Sequence, residues 1–326
     1  MSISDAMSAA LVGADVAAQK VQAVIESTNM KARVVCRSTT SADRGKTVTL
    51  QDANDSTNTQ TKTFDANLKL DFTVPGRTRY NVIVKSGNTV QSTTQIDVDY
   101  GEYKEIQIGL DKTTWTGVQT IINAGLAGSM LAIGDSITAN LSTGEDIIFE
   151  IAAINLERDG QVIWKAKNAM NALRQHHTSN TNAGGWNSSD LRTYLNNTVY
   201  AALPAELKPL IAERAVKASQ GSQSAAIQTA NDKIFLPREF EVFGATTYAA
   251  ASEQSQGGAL QWPIFATAAK RIITQGLGGA ACIWWLVSPY ASGSAHFCYV
   301  GTSGAPGHYD ASTSYGVVPC FQMIAQ

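Results

Sequence analysis

At 326 residues and 34.7 kDa, with 44% hydrophobic and only 16% charged residues, the chain has room for two or three domains and is too apolar to be disordered. Twenty-five Lys and Arg against 27 Asp and Glu leave a net charge of −2, too little cationic surplus to hold a nucleic-acid backbone through counterion release, so nucleic acid is not an expected partner. Cys36, Cys282, Cys298 and Cys320 show no C-x-x-C spacing, so they predict buried free thiols and neither a disulfide scaffold nor a zinc site.

Residues 4–28 predict a helix whose apolar residues Met7, Leu11, Ala14, Ala18, Val21 and Ile25 step by fours and threes. Alone in water such a helix is marginal, so it packs either on copies of itself or on its own domain. No basic run precedes Lys20, and an N-terminal signal peptide is therefore not expected; synthesis and folding in a bacterial cytoplasm follow. From residue 31 the pattern changes to alternating runs at 32–36, 47–50, 68–72, 80–84 and 106–108, each predicting a strand with one buried face. Asp43-Arg44-Gly45, Pro75-Gly76 and Ser86-Gly87-Asn88 supply the turns of a small antiparallel, all-β sandwich over 31–111. That segment resembles immunoglobulin-like and PEGA-like spacer modules.

Residues 112–130 predict a connector helix, with Trp115, Val118, Ile121, Ile122 and Leu126 on one stripe, running to Gly128. The stretch 113–134 is free of charge, yet Gln119, Asn123 and four glycines argue against membrane insertion. Residues 131–326 hold five of the six tryptophans and all four histidines and mix both periodicities, which predicts an α+β domain. Its best helix is 186–200, with Ser188 or Ser189 as cap; Pro204 opens another through Leu207, Leu210 and Ile211. Residues 233–237, 282–287 and 316–321 predict buried strands.

Leu131-Ala132-Ile133-Gly134-Asp135-Ser136-Ile137-Thr138 has the look of the nucleophile block of GDSL-type esterases, with Ser136 as nucleophile. Such a serine needs a base and an orienting carboxylate, which that family takes from a late Asp-x-x-His. Leu173, Arg174, Gly293 and Ala305 stand three residues before the histidines, so the esterase is the least favoured reading and no catalytic residue is assigned. His176-His177 has no Cys, Asp or Glu close in sequence and predicts a solvated loop pair; no metal and no cofactor are expected.

The unusual segment is 290–315, whose 26 residues include five Ser, four Gly, four Ala and four Tyr, with Asp310 the only formal charge. Tyrosine offers broad contact area at low entropic cost, and Ser and Gly offer adaptable hydrogen bonding, the palette of antibody loops. A loop of about 26 residues without structure of its own is rare in a compact domain unless it is functional. Phe297, Cys298 and Val300 predict short pinned strands within it. Randomising asparagine codons at their adenines yields only codons ending in a pyrimidine, which cannot encode Lys, Glu, Gln, Met or Trp; none of these five occurs in 290–315.

Gly134-Asp135-Ser136-Ile137, Trp186-Asn187-Ser188-Ser189-Asp190-Leu191-Arg192, Ile234-Phe235-Leu236-Pro237, Trp284-Trp285-Leu286-Val287-Ser288-Pro289 and Gly316-Val317-Val318-Pro319-Cys320-Phe321 together resemble the C-type-lectin-like variable proteins of diversity-generating retroelements, of the phage tropism-determinant type. Val287 and Val318 stand where members often carry arginine. The resemblance implies an α+β chain with a C-type-lectin-like ligand-display domain over 131–326, behind an N-terminal attachment helix (1–30) and an immunoglobulin-like spacer. It implies a phage-tail receptor-binding protein of the virion, homotrimeric, whose partners are a host cell-surface protein or glycan and, through the N-terminal region, other tail proteins. Its variable surface would comprise Gly293, Ser294, Ala295, His296, Tyr299, Gly301, Thr302, Ser303, Ala305, Gly307, His308, Tyr309, Asp310, Thr313 and Tyr315. The competing readings are a bacterial surface adhesin and a virion decoration protein without a ligand.

Overall fold

The computed structural model describes residues 31–38, 43–76, 78–108, 111–256 and 260–326; the helix expected at 4–28 lies outside them. The chain divides into two compact units, Met1–Leu110 and Asp111–Gln326.

In the first unit β1 (Lys31–Ser38), β2 (Thr47–Asp52), β3 (Thr59–Thr63), β4 (Lys69–Pro75), β5 (Thr78–Ser86), β6 (Thr89–Val98) and β7 (Tyr103–Ile108) form two sheets, in the orders β4-β1-β7 and β3-β2-β5-β6. Period-two apolarity puts Leu70, Phe72 and Val74 of β4 and Tyr80, Val82 and Val84 of β5 on inward faces, where they share one core with Val34, Cys36, Val48 and Leu50. Burial there pushes the Cys36 thiol up to about 12, so it stays protonated. The antiparallel expectation fails at one place. β1 runs antiparallel to β4 but parallel to β7, with Arg33 opposite Tyr103 and Ser38 opposite Ile108, because the chain leaves β6 in one sheet and re-enters the other beside β1.

The second unit opens with the helix Trp115–Asn123, whose Thr114 cap accepts from the Gly117 N–H. It stops short of the expected end because Gly125 takes φ 72°, a left-handed exit that glycine permits. It is no free connector: Trp115 meets Trp164 edge-on at 5.2 Å and Phe321 at 5.8 Å. The strands that follow are β8 (Ser136–Asn140), β9 (Asp146–Ile154), β10 (Val162–Ala166), β11 (Arg174–Gln175), β12 (Arg214–Gly221), β13 (Ser224–Asp232), β14 (Ile273–Thr274), β15 (Ala281–Cys282), β16 (Trp284–Pro289), β17 (His296–Val300), β18 (Pro306–Asp310), β19 (Ser314–Tyr315) and β20 (Cys320–Met323). They make a four-stranded sheet β20-β10-β9-β8, a three-stranded sheet β16-β17-β18, the hairpin β12-β13 and the short pairs β11-β19 and β14-β15.

This overturns the expected fold class. Over the described residues the structure is mostly β, 42% strand against 17% helix, built of many small sheets, and the α+β domain with a C-type-lectin-like fold is not what forms there. The predicted helix after Pro204 shrinks to a turn and the 3₁₀ turn Lys208–Leu210, since Pro209 has no N–H to return to an earlier carbonyl. The helix of 186–200 begins later, with Ser189 capping the Arg192 N–H ahead of Asp190–Tyr194. Residues 233–237 contribute only a bridge between Phe235 and Cys320. The single closing strand expected at 316–321 is split: Gly316 bridges to Trp284, whereas β20 pairs with β10.

Candidate functional site

The Tyr-Ser-Gly segment is ordered by its apolar residues. Phe297, Cys298 and Val300 on β17 and Trp284 and Trp285 on β16 are all at 0% exposure, and they anchor the β16-β17-β18 sheet. Above them lies a run of aromatic rings. Tyr299 and Tyr309 stand 5.6 and 6.0 Å from Tyr315, which leans on Trp285 at 4.8 Å. Tyr309 is 6.3 Å from His296, and His308 stacks face to face on Tyr290 at 3.7 Å, with Tyr248 edge-on to His308 at 4.7 Å.

Polar contacts tie these rings together. His296 Nε2 lies 3.0 Å from Asp310 Oδ1, which also accepts from Asn180 Nδ2 at 3.0 Å. His296 Nδ1 lies 2.8 Å from His308 Nδ1, so one ring donates and the other accepts. Burial first, and the neighbouring His296 second, lower the His308 pKa and favour the neutral form of that ring. Burial likewise raises the Tyr315 phenol, reinforced by Tyr299, Tyr309 and Asp310.

Residues far away in sequence hold the frame. The buried Asn182 amide donates to the carbonyls of Gly293 at 3.0 Å and His296 at 2.8 Å, its backbone N–H bonds Ser294 O, and its Oδ1 accepts from Ser222 N. Glu239, also buried, accepts from the backbone N–H groups of Thr247, Tyr248 and Ala249 and so sets the loop that presents Tyr248. Trp285 Nε1 donates to Arg174 O at 2.9 Å, fixing β11 against β19. A cleft of about 230 Å³ opens where those two strands meet, lined by Arg174, Gln175, Thr178, Asp190, Tyr194 and Ser314.

Of the residues expected to face outward, Ser294, Thr302, Ser303, Ala305 and Tyr309 are exposed, Tyr309 at 48%. Gly293, Ala295, His296, Tyr299, Gly301, His308, Asp310, Thr313 and Tyr315 are half-buried. Gly307 is a correction. It is buried beneath Tyr299, and a Cβ there would come within 2.4 Å of that ring, so Gly307 is a slot for Tyr299 and not itself a contact. Sequence reasoning missed Asn182, Glu239, Tyr248, Asn180 and Arg174; nothing in their local spacing marks them.

Ser136 is exposed at the start of β8, while the preceding Asp135 pairs with Lys112 at 2.9 Å and accepts from Ala132 N. Among the described residues no histidine bonds Ser136. A serine–histidine contact does exist elsewhere, Ser189 Oγ to His176 Nδ1 at 3.1 Å, but both residues are buried and His176 Nε2 bonds the Leu286 carbonyl, not a carboxylate. The expectation of a solvated pair at His176-His177 therefore fails for His176, which is stacked on Phe297 at 3.5 Å and held neutral by burial, its pKa lowered to about 3. Among the described residues no group of three or more His, Cys, Asp or Glu is placed to hold a metal, and no helix is long and apolar enough to cross a membrane.

Residues 159–324, half of the chain, match the family model described as a domain of unknown function, DUF6273. The chain belongs to the DUF6273 family. The DUF6273 region thus takes in the whole ring-lined surface, its buried supports and the cleft beside it. No curated protein matches the chain. A fimbrial protein from Bacteroides ovatus aligns at 10% identity over 90% of this chain and 70% of its own, with a TM-score of 0.18.

Proposed function

We propose that this chain is a non-enzymatic, tropism-determining receptor-binding protein of a bacteriophage, of the kind diversified by retroelements. It grips a host surface ligand through the ring-lined surface of 290–315, and its N-terminal region joins it to tail proteins and to two further copies. The observation that supports this most is the division of labour inside 290–315: Phe297, Cys298 and Val300 are sealed in the core while Tyr309 and the turn residues Thr302, Ser303 and Ala305 are exposed. Side chains at the exposed positions can change without entering the core, as a surface selected for variation requires. The absence of Lys, Glu, Gln, Met and Trp from the segment fits the same reading.

Sequencing the gene from sibling phage genomes tests it. Substitutions should gather at the outward positions of 293–315 while Trp284, Trp285, Phe297 and Phe321 stay constant. Substitutions spread evenly along the chain would overturn the proposal.

A further inference from the structure

Arg174 is exposed, and its guanidinium stacks on the Tyr194 ring at 4.3 Å. Among the described residues its side chain makes no hydrogen bond and no ion pair, so a planar fork of five N–H donors is held in place and unused. The acids nearby are differently disposed. Asp310 is engaged by His296 and Asn180. Asp190 Oδ2 accepts from both the backbone N–H and the hydroxyl of Thr178, at 2.7 Å each, with His177 Nδ1 3.6 Å away, while among the described residues Asp190 Oδ1 has no partner. Gln175 Nε2 donates to Ser312 O, and among the described residues Gln175 Oε1 and the exposed Ser314 hydroxyl have no partner.

The cleft therefore offers the Arg174 cation, the free oxygen of the Asp190 carboxylate, the Gln175 amide oxygen and a hydroxyl, with Leu173 and Leu191 as apolar wall. At about 230 Å³ it falls below the ~300–1,000 Å³ of sites for drug-sized ligands, and it has room for a single ring-sized group. We infer that this cleft binds an acidic sugar residue, the carboxylate seated on the Arg174 fork and the ring hydroxyls on Asp190, Gln175 and Ser314. A carboxylate matches the guanidinium bidentately. A bare acidic peptide side chain would satisfy Arg174 but make no use of the acceptors of Asp190 and Gln175, whereas a hydroxyl-rich ring can donate to both. The biological meaning rests on the receptor-binding reading above; the chemistry does not.

The test titrates the purified chain, by calorimetry or amide NMR, with sodium glucuronate, with glucose, and with N-acetyl-glutamate. Glucuronate should bind at least about tenfold tighter than glucose, weaken as salt is raised, and perturb residues 173–178 and 190–194. Arg174→Gln should erase the preference, and Arg174→Lys should retain only part of it, since a point charge cannot pair bidentately. Equal or absent responses to the two sugars, or a preference that survives in Arg174→Gln, would overturn the inference. N-acetyl-glutamate binding as tightly as glucuronate would overturn the assignment to a sugar. A failed titration alongside variation still concentrated in 293–315 would remove the sugar acid and leave the receptor-binding proposal standing.

Discussion

At the scale of single residues, the second unit stores opposing titrations behind its ring-lined surface. Burial lowers His176 to about 3, so from pH 6.5 downward the unfolded chain takes a proton that the folded chain refuses. Burial raises Glu253 to about 7 against its bonds from Ser219 and Ser288, so between pH 7 and 4.5 the folded chain holds a proton that the unfolded one releases. Each contributes about 1.4 kcal/mol per pH unit, with opposite sign. Those two slopes cancel between pH 6.5 and 4.5, and Glu239 and Asp232, both raised by burial, act with Glu253, so stability is level or rises slightly as pH falls through that range. Burial would also raise Glu241, but Arg214 and Arg238 overcome it and hold it at about 2. Below pH 4.5 the Glu253 contribution is complete and no longer grows while those of His176 and Glu241 are both being lost, so stability should fall by roughly 3 kcal/mol per unit down to about pH 3. Urea midpoints across this range check the shape. Glu253→Gln should expose a slope between pH 6.5 and 4.5, stability falling with pH; an unchanged plateau would refute the assignment. The exposed ring separates binding from folding at the same scale. Tyr309→Ser should stay within about ±0.5 kcal/mol of the parent yet lose most adsorption to a cell that the parent stains, whereas Trp285→Ala should lose about 3–5 kcal/mol and binding with it.

At the scale of elements, the 290–296 turn depends on one amide. Asn182→Ala would strip donors from the Gly293 and His296 carbonyls and leave Ser222 N without its acceptor, at a cost of about 1–3 kcal/mol for each buried group left unpaired. Hydrogen exchange should then quicken across 290–296 while β9 and β10 remain protected. Asn182 carries no local signal of this role. Alternation made the strands of the first unit visible, and Phe297, Cys298 and Val300 marked β17, because both signals are local. Asn182 and Arg174 act on partners more than a hundred residues away, through contacts that no periodicity encodes. The fold class failed for a related reason. An ordered set of motifs says which segments are buried, but not that Gly316 will bridge to Trp284 while Cys320–Met323 pairs with β10. Gly307 was visible as a glycine in a tyrosine-rich segment, but its use as a slot appears only when β18 lies beside β17 and Tyr299 crosses it.

At the scale of the whole molecule, the proposed homotrimer predicts a threefold mass by light scattering at micromolar concentration, and a monomer would refute it. Three copies of one weak site can gain ~10² to 10⁴ in effective affinity without a new contact. On the receptor-binding proposal the chain bears load between particle and cell, and the parallel β1-β7 pair then has a mechanical meaning. Pulling residue 31 and residue 108 apart slides two adjacent strands past each other, so the ladder from Arg33 and Tyr103 to Ser38 and Ile108 is loaded in shear, all its bonds at once. Pulling residue 31 against residue 75 instead would peel β1 from β4 one bond after another, because Lys31 lies opposite Pro75. Optical-tweezer traces through the first pair of handles should show one abrupt, high-force rupture, and through the second a low-force unzipping, so the unit withstands tension along the direction in which its chain enters and leaves.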